Sequence, residues 1–400
     1  MPRPTPKRRE RGRLALALLL ALTAIGAAVA IVLAEGVGKK TPTSQAFVPG
    51  YGACPAGGRP PTPGSAAARK SLFIGINSLF NRQCDLRTMT RAGIHYQRFD
   101  FDWGEIEPRP GVFEWARYDQ WVGSSASAGV QVLPVLLESP SWAAPAGMAL
   151  PTNPAPYADF VAHVVRRYGP GGDFWRQHPR LKKEPIRWYE IWNEPYFYQF
   201  SNNNPNPAQY ARMVKATAIA GRKANPQARF LLEADTFGQK PGGDPIDWVD
   251  PMYKAVPDLN RYFDGVSEHP YSFTESPDDY TPSGVSSRAQ FRRVGELRAM
   301  FVAHGAANKP FWITEIGWST CPGGTRAFCV TASQQAQYLK RVFQIARTSY
   351  KNFVRAVFVY NYRDFPQQQP NNKEDWFGLF KANGLAKPSW NVVENASLGR

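Results

Sequence analysis

Two glutamates near the ends of apolar runs have side chains suited to paired acid and base chemistry. Glu194 lies in the string YEIWNEP (189–195), and Glu315 lies in WITEIGW (312–318). Hydrolysis of an acetal needs such a pair, because one carboxyl group protonates the leaving oxygen while the other attacks the anomeric carbon. In the retaining form the two groups lie about 5–5.5 Å apart, and the second forms a covalent ester. The fold must therefore bring two distant segments together.

The elements that could do so are short apolar runs alternating with helix-like stretches from Ser71 onward. This alternation is typical of a parallel sheet covered by helices. Helical spacing is present in 85–93, 207–225 and 331–348, with a final helix expected in 386–395. The predicted strands are 72–76, 96–101, 130–137, 186–192, 228–234, 263–269, 310–316 and 356–362. Eight strands predict the α/β class, as a single closed (β/α)8 TIM barrel over residues 71–400.

Spacing along the chain places the two glutamates within this barrel. About 330 residues divided among eight units give roughly 41 residues per unit. The gap from Ser71 to Glu194 and the gap from Glu194 to Glu315 are each about 120 residues, or three units. Glu194 is therefore expected at the end of strand four and Glu315 at the end of strand seven. His269 is expected at the end of strand six. All three would lie at the C-terminal rim, where barrel active sites are found.

The first seventy residues have a different composition from the rest. Six basic residues precede an uncharged stretch at 14–34, which indicates an export signal or a membrane anchor. Its length favours an uncleaved anchor, whereas the small residues at 28–30 favour cleavage. Residues 35–70 are rich in Pro and Gly and predict a flexible linker. In both cases the remainder is expected outside the cytoplasm, either secreted or held at the cell surface by one N-terminal helix.

The four cysteines can pair in that oxidising location. Cys321 and Cys329 are eight residues apart in a Pro-Gly-Gly loop and are the favoured pair, which would leave Cys54 to bridge Cys84. Four cysteines allow three pairings, so this connectivity stays open. The chain has no CxxC string or closely spaced His and Cys set, and no metal site is predicted.

The chain is strongly basic, with a formal net charge of +16. Most of the excess lies beyond the first forty residues. It fits an anionic polysaccharide or an anionic envelope as a partner, and it fits equally a solvated surface with no partner. The basic residues are scattered and are not interleaved with aromatics in a stripe, so nucleic acid is not expected.

The two glutamate strings together resemble the clan A glycoside hydrolases. The resemblance extends to FDWGEIEPRPGVFEW (101–115), SPSWA (139–143) and SEHPY (267–271), and it covers nearly all of 71–395. It implies that Glu194, in the Asn-Glu pair of strand four, is the general acid/base. It also implies that Glu315 on strand seven is the nucleophile. Three strings with this order and spacing are far more specific than NEP alone.

The same resemblance implies roles for four neighbouring residues. Asn193 would hydrogen-bond the sugar 2-hydroxyl, and Arg98 would pair with Glu315 and keep it ionised. Tyr271 would donate a hydrogen bond to Glu315, while His269 would border the sugar or support the acid/base. The alternative for His269 is a core histidine that hydrogen-bonds to backbone groups. The alternative for Tyr271 is an ordinary aromatic residue of the rim.

Aromatic residues at strand ends are candidates for stacking on the apolar face of a sugar. These are Trp142, Trp192, Trp318 and Tyr360, for each of which packing is an equal alternative.

Two departures separate the chain from family 5. The string VFVYNYRD stands in place of a strand-eight Trp, and LLESP stands in place of a strand-three His. Both pull the resemblance toward family 39.

The sequence therefore predicts a retaining β-type glycosidase acting on an oligo- or polysaccharide without a metal or organic cofactor. Two alternatives are kept: a transglycosylase, in which a sugar replaces water as the acceptor, and a tethered carbohydrate-binding barrel without catalysis. The sugar and the linkage remain open.

Overall fold

The computed structural model describes residues 72–78, 82–282, 290–322, 328–370 and 372–400. The predicted signal or anchor at 1–34 and the linker at 35–70 lie outside these residues. Within the described ranges, no helix combines the length and the apolar character needed to cross a membrane.

Eight parallel strands form one closed barrel. They are β1 (Phe73–Asn77), β2 (Tyr96–Asp102), β3 (Gln131–Leu137), β4 (Trp188–Ile191), β5 (Arg229–Glu233), β6 (Gly265–Glu268), β7 (Phe311–Ile316) and β8 (Val354–Val359). Each strand pairs with its sequence neighbours, and β1 pairs with β8 to close the barrel. Every predicted strand overlaps one of these eight, so the predicted TIM barrel is confirmed.

Helices lie outside the barrel, and their ends follow from local sequence. Asn153 and Asn206 cap two helices that each begin with proline, and Thr331 forms a capping box with Gln334. The helices are α1 (Gln83–Arg91), α2 (Trp103–Ile106), α3 (Ala116–Ala128), α4 (Pro154–Tyr168), α5 (Asp173–Gln177), α6 (Pro207–Ala224), α7 (Val249–Ala255), α8 (Val294–Ala303), α9 (Ala332–Arg347) and α10 (Pro388–Ser397). Short 3-10 helices and a two-stranded hairpin (Gly238–Gln239 with Pro245–Ile246) occupy connections.

The main core lies between the strands and the helices. A smaller apolar cluster fills the inside of the barrel, formed by Leu133, Leu231, Trp312, Ala356 and Phe358. Gly75 leaves room for this filling, because a Cβ at that position would overlap the Phe358 ring. The barrel is therefore closed below by packed side chains, and the polar groups above them rest on an apolar floor.

Candidate active site

Glu194 is held in a sharp turn just beyond β4. Trp192 and Glu194 have φ values of 69° and 43°, in the left-handed region that non-glycine residues rarely adopt. The turn is fixed at both residues, since the Trp192 N–H donates to Leu136 O at 2.9 Å and the Glu194 N–H donates to Glu233 Oε2 at 2.9 Å. Such a strained and well-anchored turn is typical of functional sites.

Glu315 faces the barrel interior because β7 contains a bulge. Val357 on β8 lies opposite Ile313, whereas Val359 lies opposite Ile316, so β7 carries one extra residue between them. A bulge changes the side to which a side chain points. Consecutive residues Thr314 and Glu315 consequently both contact groups inside the barrel.

The Arg98 guanidinium links the predicted site residues from β2. Its Nε donates to Glu190 Oε2 at 2.5 Å, and its Nη1 donates to Glu315 Oε1 at 2.5 Å. Its Nη2 donates to Asn193 Oδ1 at 3.0 Å and lies 3.2 Å from His269 Nε2. The buried Arg98 guanidinium therefore connects β2 with side chains at or just beyond the ends of β4, β6 and β7.

His269 stands between the two glutamates. Its Nδ1 lies 2.9 Å from Glu194 Oε1 and 3.9 Å from Glu315 Oε1. The two carboxylate oxygens are consequently less than about 7 Å apart, a limit that admits the retaining separation and excludes most of the inverting one. On the other side of the ring, Nε2 lies 3.1 Å from Thr314 Oγ1, which donates to Glu190 Oε1 at 2.6 Å. Because the Thr314 hydroxyl gives its proton to Glu190, its oxygen is available to accept a proton from a protonated His269 ring.

The charges around Glu315 favour its ionised form. Burial alone would raise its pKa, but the charges of His269 and Arg98, with hydrogen bonds from Tyr271 and Arg98, hold that pKa below its usual value. For His269 burial opposes protonation, yet the nearby carboxyl groups of Glu233 and Glu315 and the hydrogen bond to Glu194 raise its pKa to about 10. The site therefore combines an ionised carboxylate with a protonated imidazole.

Of the predicted aromatic residues, Tyr271 and Tyr360 lie beside Glu315, whereas Trp142 lies beyond the end of β3. Tyr271 donates to Glu315 Oε2 at 2.6 Å, and half-buried Tyr360 packs edge-on against it with ring centroids 6.3 Å apart. Half-buried Trp142 stands beyond β3 and donates its indole N–H to Glu107 O at 3.0 Å. Both Tyr360 and Trp142 are only partly buried, and Tyr360 is the one of the two that contacts a residue of the site.

The stacking prediction is wrong for Trp318 and Trp192. Both side chains are fully buried. The Trp318 indole donates to Glu275 O at 3.0 Å, and the Trp192 indole donates to Phe200 O at 2.7 Å. Their strand-end positions are as expected, but their rings point into the packed layer behind the rim, where a sugar cannot reach them.

Four polar residues of the network were not predicted. Glu190, Glu233 and Thr314 point inward from β4, β5 and β7, and the Asn77 amide at the end of β1 donates to Thr314 O at 2.9 Å. Glu190 and Glu233 are completely buried. A single acid inside an otherwise apolar strand was the available signal, because a charge in such a place needs a partner.

Glu190, Glu233 and His269 also have the residue types of a metal site, with ligand atoms within 4.8 Å of one another. The Glu190 oxygens, however, accept hydrogen bonds from Arg98 and Thr314. A divalent cation would have to displace these donors and would lie beside a guanidinium. The donor set fits an ion-pair network better than a metal.

The rim is covalently fixed after β7, where Cys321 and Cys329 form the predicted disulfide. Cys84 is also disulfide-bonded. Cys54, its predicted partner, lies outside the described residues.

Comparison with known proteins supports the same relationship. A family model described as beta-galactosidase, of glycoside hydrolase family 42, matches residues 80–196. No curated protein matches the chain significantly. A family 39 glycoside hydrolase from the gut symbiont Bacteroides cellulosilyticus WH2 superposes with a TM-score of 0.64 at 22% identity, covering 84% of this chain and 65% of that one. A family 39 β-xylosidase from Caulobacter crescentus superposes with a TM-score of 0.56 at 20% identity, covering 84% and 72%. An exo-β-1,4-mannosidase from an Opitutaceae bacterium, strain TAV5, gives 0.54 at 17% identity, covering 82% and 59%.

These matches confirm the predicted resemblance to clan A glycoside hydrolases, and family 39 enzymes are among the matched structures. The chain spans about two thirds of the length of the family 39 structures it matches. At such low identity the likeness establishes the shared barrel fold.

Proposed function

We propose that the protein hydrolyses O-glycosidic bonds with retention, using Glu194 as general acid/base and Glu315 as nucleophile. The observation that carries the proposal is the placement of both carboxylates against one atom, His269 Nδ1. The family 42 match and the glycosidase structures with the same barrel support the reaction class.

In the first step the Glu315 carboxylate attacks the anomeric carbon while Glu194 gives its proton to the departing oxygen. The glycosidic bond breaks, and an ester forms between the sugar and Glu315. Arg98 and Tyr271 keep the nucleophile ionised and oriented before attack. The imidazolium of His269 then stabilises the carboxylate that Glu194 becomes.

In the second step Glu194 acts as a base. It removes a proton from water, and the resulting hydroxide displaces Glu315 from the anomeric carbon and releases the sugar. Asn193, fixed by Arg98, is positioned to hydrogen-bond the sugar 2-hydroxyl in both steps. The active site needs only protein groups for this sequence of events.

Replacement of the two glutamates tests the assignment. Glu315→Ala should abolish turnover and prevent labelling by a 2-fluoro glycoside, which traps the ester of a retaining enzyme. Glu194→Ala should lose about 10²–10⁴-fold on an unactivated leaving group and be partly rescued by azide. Glu105→Gln, at the rim but paired with Arg117, is the matched control. Retained turnover by Glu315→Ala would refute the nucleophile.

We further propose that the protein works outside the cytoplasm, secreted or anchored through residues 14–34. The basic residues that precede this apolar stretch support export. The Cys321–Cys329 disulfide also supports an oxidising location. Protease accessibility of the barrel on intact cells tests the proposal.

An acidic glycan is the finer substrate proposal. It is supported by the net charge of +16 and by the Lys373 ammonium at the rim, which lies 5.2 Å from the ring centre of exposed Phe273 and 5.8 Å from that of Phe328. A sugar ring could contact the aromatics while its carboxylate meets the ammonium. Screening of neutral and uronic-acid polysaccharides, followed by reducing ends, tests this preference. Equal activity on both classes would contradict it.

A further inference from the structure

A third carboxyl group lies directly behind the catalytic pair. Glu233 reaches inward from the end of β5 and is completely buried. Its Oε2 accepts the backbone N–H of Glu194 at 2.9 Å, and its Oε1 lies 3.4 Å from His269 Nδ1. The backbone N–H of Glu233 donates to the Tyr210 hydroxyl oxygen at 2.8 Å, which fixes the residue at the end of the strand.

The side chain of Glu233 accepts few hydrogen bonds, which favours the neutral acid over the buried carboxylate. Its Oε1 has no hydrogen-bond partner in the described part of the chain, because the Nδ1–H of His269 is directed at Glu194, which is closer at 2.9 Å. Among the described residues no guanidinium or ammonium group forms an ion pair with Glu233, and the charge of Arg98 lowers its pKa only from a distance. Burial, opposed by the charge of His269 and aided by those of Glu190 and Glu194, raises the pKa of Glu233 well above its usual value.

We propose that Glu233 is a positioning residue for the acid/base, working as a neutral carboxylic acid. Its carbonyl oxygen holds the Glu194 N–H and so fixes the left-handed turn on which Glu194 stands. Its neutrality leaves the imidazolium of His269 available to Glu194. This inference rests on the proposed glycosidase function and adds a residue to its machinery.

Neutrality matters most between the two half-reactions. When Glu194 gives up its proton, a carboxylate appears beside His269 in a site that already contains ionised Glu190 near Arg98. A second anion at Glu233 would repel the new carboxylate and oppose proton transfer. A proton retained on Glu233 removes that repulsion while leaving an oxygen free to accept the Glu194 N–H.

The kinetic experiment compares Glu233→Gln with Glu233→Ala on two glycosides of the same sugar. One has a dinitrophenyl leaving group, which departs without acid help, and the other has an alkyl leaving group. Ala removes the acceptor of the Glu194 N–H, so kcat should fall at least tenfold on the alkyl glycoside and far less on the dinitrophenyl one. Gln is an isostere of the neutral acid and should recover most of what Ala loses, with the basic limb of the pH profile near that of the wild type.

Glu268→Ala is the matched control. Glu268 is also a buried glutamate, on the neighbouring strand β6, with a pKa raised by burial. Its truncation should lower stability without a leaving-group effect. Equal losses on both glycosides for Glu233→Ala would overturn the proposal, and so would a Gln variant as impaired as Ala with a shifted basic limb.

A second measurement does not depend on activity. A carboxyl group that stays protonated in the folded protein and ionises in the unfolded chain makes stability fall as pH rises above its unfolded pKa. Glu233→Gln removes this dependence, so its unfolding temperature should rise relative to wild type as pH increases. A constant difference across pH would overturn the neutral state. Failure of the proposed function has another signature, because wild type would then hydrolyse no glycoside while this thermal difference persisted.

Discussion

Tyr271→Phe should move the acid limb of the pH profile to higher pH. The Tyr271 hydroxyl donates to Glu315 Oε2 at 2.6 Å. Burial and the charge of Glu315 raise the pKa of Tyr271 well above its usual value, so the hydroxyl keeps its proton across the working range. A hydrogen bond to a charged group contributes about 1.5–3 kcal/mol, and one pKa unit corresponds to about 1.36 kcal/mol. Removal of the donor should raise the pKa of Glu315 by about one to two units.

The assay is kcat/KM as a function of pH on an aryl glycoside. Activity requires ionised Glu315, so the acid limb should shift upward with that pKa while the basic limb stays in place. Tyr338→Phe is the control, because Tyr338 packs against Trp318 with ring centroids 5.3 Å apart and is remote from the nucleophile. An acid limb that does not move in Tyr271→Phe would refute the assignment of Glu315 as the ionised nucleophile.

Two further predictions concern stability. Burial and neighbouring Asp102 raise the pKa of Glu138 to about 9, so its contribution to stability is complete below about pH 4.5 and is lost as pH rises toward 9. Glu138→Gln should therefore gain unfolding temperature over wild type as pH increases, and a parallel pH dependence would contradict this. Gly75→Ala should lower the free energy of unfolding by about 1–3 kcal/mol, because the new Cβ would overlap the Phe358 ring inside the barrel. Urea unfolding measures this loss. An unchanged unfolding midpoint would contradict the packing described.

Sequence patterns predicted the barrel well because its strands are continuous apolar runs separated by helices of clear periodicity. The spacing of about 41 residues per unit also located Glu194 and Glu315 at the correct strand ends. Strand counting gives the height of a residue in the barrel but not the direction of its side chain. Trp318 is an example: its position at a strand end was predicted, but its ring is buried behind the rim.

The supporting network was harder to predict for a related reason. Strands of a barrel are buried on both faces, so apolar alternation does not distinguish the inside from the helix-facing side. Glu190 and Glu233 were visible as isolated acids in strands, yet their partners come from segments far apart in the chain. The bulge that turns Glu315 inward is a matter of pairing between β7 and β8, which no local string records.

Glu194 and Glu315 are positioned by different structural features, and this difference suits the roles proposed for them. Glu194 must change its charge twice in each cycle, and it stands on a turn whose backbone is held by a neighbouring carboxyl group and whose side chain meets a histidine. Glu315 must stay ionised until it attacks, and it stands in a strand, clamped by Arg98 and Tyr271. The histidine beside Glu194 can offset the change of charge on that carboxyl group, whereas the two donors on Glu315 hold it ionised and in one orientation. These contacts favour the proposed roles, with acid/base work at Glu194 and nucleophilic attack at Glu315, over the reverse assignment.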